Sequence, residues 1–152
     1  AVMHMLLDIK DVSKAQQWID EALTDKKKPV MGFGHRVYKN GDSRVPYMTK
    51  YFHEMAKIKD GQKWIDIEDI LAKTMLERKN IHPNLDYPVG PAYYLMGFEI
   101  PIFTPIFVMS RITGWTAHIM EQLEDNKLMR PLAVYNGVPQ RSVLPMEKRK
   151  AA

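Results

Sequence analysis

Apolar residues recur at helical spacing along most of this 152-residue chain, and no region alternates with a period of two over several consecutive strands. That pattern points to an all-α fold. Residues 1 to 9 are apolar and read as the continuation of a helix. A second helix carries Trp18, Ile19, Ala22 and Leu23 on one face. Ser13 with Gln16 resembles a capping box at its start, and the Lys26–Lys28 run suits its negative C-terminal end, with Pro29 beyond as a stop. Pro46 is well placed as the first residue of a helix presenting Met48, Tyr51, Phe52 and Met55. Trp64, Ile67, Ile70, Leu71 and Met75 mark another amphipathic helix that ends before Asn80. A short helix is expected around Ala92–Met96, and one more from near Pro105 to about Glu124. From Arg130 onward, Pro131, Gly137, Pro139 and Pro145 predict an irregular tail.

The length suits one ordinary domain, or one small domain plus a piece of another. A hydrophobic content of 45% and a charged content of 26% are those of a soluble globular protein. The net charge of +4 fits an anionic ligand and is too weak to imply nucleic acid. No aromatic platform of the kind that binds single strands is visible, so no nucleic-acid partner is expected. No segment approaches the roughly 18–20 uninterrupted apolar residues of a membrane span. The opening AVMHMLL lacks a basic stretch and a long apolar run, so it does not read as a signal peptide. There is no cysteine, which makes a reducing cytoplasm the expected location. No metal-ligand spacing occurs, and the glycines near His35 match neither a dinucleotide fingerprint nor a phosphate-binding loop.

Two loops and one helix carry the polar residues of interest. Residues 30–45 hold three glycines and the run GFGHRVYKNGDSR. Gly32 and Gly34 let the backbone approach a ligand closely or adopt positive φ. His35 between them and the basic run is either a proton-sharing group or a solvated turn histidine. Lys39 and Arg44 bracket Asp42 and Ser43, which fits a carboxylate or phosphate clamp or a surface salt-bridge cluster. The second loop, NIHPNLDYPVGP, contains three prolines. Its Asp86 is either a general base with a pKa raised by apolar company or the acceptor of an Asx turn or helix cap. In PIFVMSRITGWTAHIM the chain is apolar almost all round, as in a helix buried in a large core or against another subunit. Arg111 within it needs an anion, and no acidic residue lies three or four positions away to supply one. Nothing local distinguishes Arg130 from a plain tail arginine.

Taken in order, GFGHRVYKNGDSR, PNLDYPVGPAYYLMG, FTPIFVMSRITGWTAHIMEQ and RPLAVYNG resemble the C-terminal part of the citrate synthase family, in wording most like its bacterial dimeric citrate and 2-methylcitrate synthases. The resemblance covers essentially the whole chain. It implies a multi-helical fold with a small, mobile, CoA-binding domain over 1–90 and the closing part of a large domain over 91–152, including a dimer-interface helix. It implies that His35 polarises the keto carbonyl of oxaloacetate and that Asp86 removes an α-proton from the acyl-CoA. Arg44 and Arg111 match arginines that bind carboxylates, and Arg130 matches one contributed across a homodimer to the neighbouring site. Lys39 falls where relatives place a basic residue near the CoA phosphates, and Met31, Gly32, Phe33 and Gly34 resemble the segment contacting adenine. Acetyl-CoA or propionyl-CoA is implied as substrate, with no tightly bound cofactor and no metal.

One departure accompanies the match. Family members carry a second catalytic histidine in an HGGANE-like motif directly before a segment like AVMHML, and here the sequence begins at Ala1. The expectation is therefore of a piece lacking that histidine, inactive alone and completed by an upstream part of the same polypeptide. The competing reading is a non-catalytic oligomerisation or ligand-binding remnant of the same fold.

Overall fold

A computed structural model describes residues 1–25 and 28–149. Among them lie six α-helices and no strand: α1 (Val2–Ile9), α2 (Val12–Thr24), α3 (Val45–Ile58), α4 (Gln62–Lys79), α5 (Asp86–Leu95) and α6 (Phe103–Glu124). Short 3₁₀ turns occupy Ile100–Ile102 and Met146–Lys148. The residues divide into two compact units, Ala1–Thr113 and Gly114–Ala152. The all-α expectation is met. No described helix is long and apolar enough to cross a membrane.

Local chemistry explains most helix ends. Pro46 sits in the first turn of α3, where a missing N–H costs nothing. α4 ends on Asn80, which takes up a left-handed conformation at φ 53° and returns its N–H to the Leu76 carbonyl. At the start of α2 the expectation is corrected: Asp11, not Ser13, is the cap. Its Oδ1 accepts from the Ser13 backbone N–H at 2.9 Å and from the Ser13 hydroxyl at 2.6 Å, and Gln16 turns away to Asp20. A carboxylate two residues earlier is the stronger acceptor for the open N–H groups. α2 ends at Thr24; Lys26 and Lys27 of the basic run lie outside the described residues, and Lys28 spreads over the Trp18 ring at 4.4 Å.

A second correction concerns α5. It begins at Asp86, not near Ala92, and runs through Pro88 and Pro91. Pro88 is the third residue of the helix, where no intrahelical N–H bond is lost. Pro91 does remove one, yet both proline rings are fully buried. α5 packs against α1 and α3, α2 packs on α4, and α3 also meets α4. Burial in the centre of this first unit offsets the lost backbone bond. The core contains Met3, Leu6 and Ile9 of α1, Ile19 of α2, Phe52 of α3, and Ile67 and Leu71 of α4. Trp64 and Met75 join it as their spacing predicts, Ile70 is half-buried, and Tyr51, expected on the inner face of α3, is exposed.

α6 spans the expected segment and decides between the two alternatives only in part. None of its residues is buried, and Phe107, Met109 and Ile112 are exposed despite the nearly uniform apolar character of the segment. The described residues of this chain do not bury it.

Candidate active site

The two polar loops are stitched to one another. Phe33 and Pro83 form an isolated antiparallel bridge, the Gly34 N–H donates to the His82 carbonyl at 2.9 Å, and the Asn84 N–H donates to the Gly32 carbonyl at 2.8 Å. Asn84 also donates its side-chain Nδ2 to the Gly34 carbonyl at 3.0 Å and accepts the Asp86 N–H on Oδ1 at 3.0 Å. Gly32 lies so close to Tyr87 that an added Cβ would stand 2.8 Å from its ring, and its φ of +86° suits glycine alone among common residues. Tyr87 is itself anchored: its hydroxyl donates to the Glu68 carbonyl at 2.7 Å and its ring packs on Phe33 at 4.6 Å. The Met31 N–H meets the Met5 sulfur at 3.4 Å, tying the loop to α1.

His35 is half-buried, and its Nδ1 accepts from the backbone N–H groups of Val37 at 3.0 Å and Tyr38 at 3.1 Å. A nitrogen receiving two donors carries no proton, so the neutral ring holds its hydrogen on Nε2 and presents it as a donor. The ring also stacks on Tyr38 at 4.6 Å. Lys39 folds back so that Nζ donates to the His35 carbonyl at 2.9 Å.

Asp42 is buried and grips Arg44, with Nη2 to Oδ2 at 2.6 Å and Nε to Oδ1 at 2.9 Å. The side-chain hydrogen bonds from Arg44 outweigh burial and hold the Asp42 carboxyl down to about 2. In return they raise the guanidinium further above its ordinary value. Arg44 leaves its Nη1 edge free of this pair, with the guanidinium carbon 5.4 Å from the Tyr38 ring centre. Asp86 is exposed in the first turn of α5, which corrects the expectation of apolar company. It is not the Asx-turn acceptor either: that part is played by Asn84.

Met31, Gly32, Arg44, Asp86 and Arg111 line one open cavity of about 670 Å³ within the first unit, together with Thr104 and Ser110. Arg111 covers the Phe107 ring at 4.9 Å, and among the described residues no carboxylate pairs with it. Phe33 and Gly34 instead line a smaller groove of about 310 Å³ together with Lys28 and Lys79. His35 and Lys39 belong to the same loop without lining either space. Arg130 lies in the second unit, exposed. Asn84, Thr104 and Ser110 were not singled out from the sequence. Only Asn84 had a local signal, an Asx residue two positions ahead of a helix start.

Behind the site, Glu68 is buried with Oε1 meeting no hydrogen-bond partner among the described residues. Burial pushes its carboxyl well above the usual range, and the neighbouring Asp69 adds to the effect.

Residues 1–132 match the family model described as citrate synthase, C-terminal domain. The chain is 53% identical over 148 residues to 2-methylcitrate synthase 1 of Corynebacterium glutamicum, covering 97% of this chain and 39% of that protein. It is 58% identical over 144 residues to citrate synthase of Mycolicibacterium smegmatis, covering 95% and 38% respectively. Among solved structures, the ternary complex of carboxymethyl coenzyme A and oxaloacetate with citrate synthase from Thermoplasma acidophilum superposes with a TM-score of 0.82. It is 35% identical, covering 98% of this chain and 41% of that one. The chain thus spans about two fifths of the length of the curated relatives it matches.

Proposed function

The chain belongs to the citrate synthase family, and from that premise we propose that it contributes the oxaloacetate-activating and proton-abstracting residues of an acyl-CoA condensation. Oxaloacetate, an acyl-CoA and water give citrate or 2-methylcitrate and free CoA. Asp86 takes the α-proton of the thioester, and the resulting enolate carbon attacks the keto carbonyl. Negative charge then develops on the carbonyl oxygen, where the Nε2–H of His35 donates to it. Water hydrolyses the thioester of the adduct and releases the thiol. Arg44 and Arg111 hold the carboxylates, since a planar guanidinium meets a carboxylate through two parallel hydrogen bonds. Lys39 serves the CoA phosphates, the Met31–Gly34 backbone serves the adenine, and no tightly bound cofactor takes part.

The observation that carries this reading is the convergence of Arg44, Asp86 and Arg111 on one cavity. A carboxylate base beside two cations with free edges suits a dianionic substrate next to a neutral acyl group. The tautomer held at His35 supports it, because a ring with Nδ1 already occupied offers only a donor to a ligand. Residues 1–90 are assigned to a small CoA-binding domain and 91–152 to the closing part of a large one. The exposed apolar residues of α6 support a homodimer in which a partner covers that helix and Arg130 serves the neighbouring site.

The test is release of free thiol from acetyl-CoA and propionyl-CoA in the presence of oxaloacetate by the full-length protein. Asp86→Asn and His35→Gln are each expected to lower kcat by about 100-fold or more. Near-normal turnover in Asp86→Asn removes Asp86 as the base. Comparing kcat/KM for the two acyl-CoAs ranks the substrates, which differ by a methylene worth about 1–3 kcal/mol in a fitted pocket.

A further inference from the structure

We propose that Asn84 is the positioning residue that sets His35 and Asp86 relative to one another, a role that rests on the condensation reading above. Its side-chain amide touches the peptide units of both. Nδ2 donates at 3.0 Å to the carbonyl of Gly34, which is the peptide bond leading into His35, and Oδ1 accepts at 3.0 Å the N–H of Asp86 itself. The first of these spans 50 positions of chain. The amide orientation follows from the partners, because a carbonyl must be faced by the NH₂ and an N–H by the oxygen. The backbone of Asn84 is engaged as well, donating to the Gly32 carbonyl at 2.8 Å and accepting from the Tyr87 N–H at 3.1 Å. Every hydrogen-bonding group of this half-buried residue is thus used on one of the two loops or on the start of α5.

The residue type is demanding. Aspartate keeps the acceptor for Asp86 and sets a second oxygen against the Gly34 carbonyl. Serine keeps a short acceptor within reach of the residue two positions on and loses the reach to Gly34. Base and carbonyl donor act on two different molecules that must meet along one line, and misplacement by about 1 Å can cost about 100-fold in rate.

The experiment uses the full-length protein labelled at histidine side chains and aspartate amides, with Asn84→Asp and Asn84→Ser as variants. In Asn84→Asp, kcat per mole of folded protein, with the folded fraction measured by circular dichroism, is expected to fall by about 100-fold with both KM values changed by less than about 3-fold. The nuclear magnetic resonance signal of the His35 ring should move because its link through Gly34 is lost, and that of the Asp86 amide should move because its acceptor, though kept, becomes charged. In Asn84→Ser the His35 signal should move and the Asp86 amide should stay. Unmoved signals in Asn84→Asp, or parent-like kcat, overturn the proposal. If Asn84→Asp does not fold, Asn84→Ser decides: an unmoved His35 signal overturns the proposal, and a moved one supports it. Absence of thiol release from the parent with either acyl-CoA overturns the condensation reading instead, and the signals still decide whether Asn84 couples the two residues.

Discussion

Asp42 and Arg44 form a two-point ion pair, 2.6 Å at its shorter contact, in which the aspartate side chain is 1% exposed and the arginine side chain 44% exposed. The buried partner fixes the half-exposed one, so the arginine reaches the cavity with its direction already set. A titration follows from this pair. The Asp42 carboxyl is held near 2 in the folded chain against an ordinary value of 3.8. A depressed carboxyl contributes stability that is complete above about pH 4 and is lost as the pH falls to about 2. Asp42→Asn lacks that contribution, so its stability deficit relative to the parent should shrink between about pH 4 and about pH 2. Urea unfolding followed by circular dichroism across that window measures it, and a pH-independent deficit refutes the assignment.

Two glycines separate backbone strain from steric clash. Gly97 has φ +88° with nothing within 4 Å of an added Cβ, whereas Gly32 has φ +86° with the Tyr87 ring at 2.8 Å and Val2 at 3.0 Å. Gly97→Ala should cost about 1 kcal/mol from the left-handed backbone alone. Gly32→Ala should cost at least about twice that, since packed atoms must also shift. Denaturant midpoints of the two variants give the order, and equal costs would contradict the close approach of Gly32 to Tyr87.

Glu68 runs against ordinary core composition. Burial raises its carboxyl well above 4.5, so the folded state holds a proton that the unfolded state gives up. Stability from this residue is therefore intact below about pH 4.5 and declines as the pH rises toward the folded value. Glu68→Met should be more stable than the parent at neutral pH by about 1 kcal/mol or more, with the gain vanishing in acid. Thermal melts at neutral and acidic pH test the sign.

The Tyr87 hydroxyl bonds the Glu68 carbonyl in the buried interior. Tyr87→Phe keeps the ring against Phe33 and removes that bond, for an expected loss of about 1 kcal/mol. A loss much beyond about 2 kcal/mol would mean that the hydroxyl does more than satisfy one carbonyl.

Apolar character identified α1, and helical spacing together with local end signals identified α3 and α4, because the residues that define them lie within a few turns of each other and Pro46 and Asn80 mark ends by their own backbone preferences. The order and spacing of four motifs likewise placed the chain in its family. The start of α5 escaped the sequence because Pro88 and Pro91 read as breakers. Pro88 is tolerated because it lies in the first turn, where no backbone bond is lost, and Pro91 because it is fully buried. Nor did local pattern distinguish Asp86 desolvated among apolar neighbours from Asp86 exposed at a helix start. The clasp of Asn84 on Gly34 and the seat of Tyr87 on Glu68 join residues 50 and 19 positions apart. Such pairings depend on how helices pack and leave no periodic trace. Short-range backbone and hydrophobic preferences, then, are written residue by residue in this chain, whereas the mutual placement of its polar groups comes from long-range packing that only the folded molecule possesses.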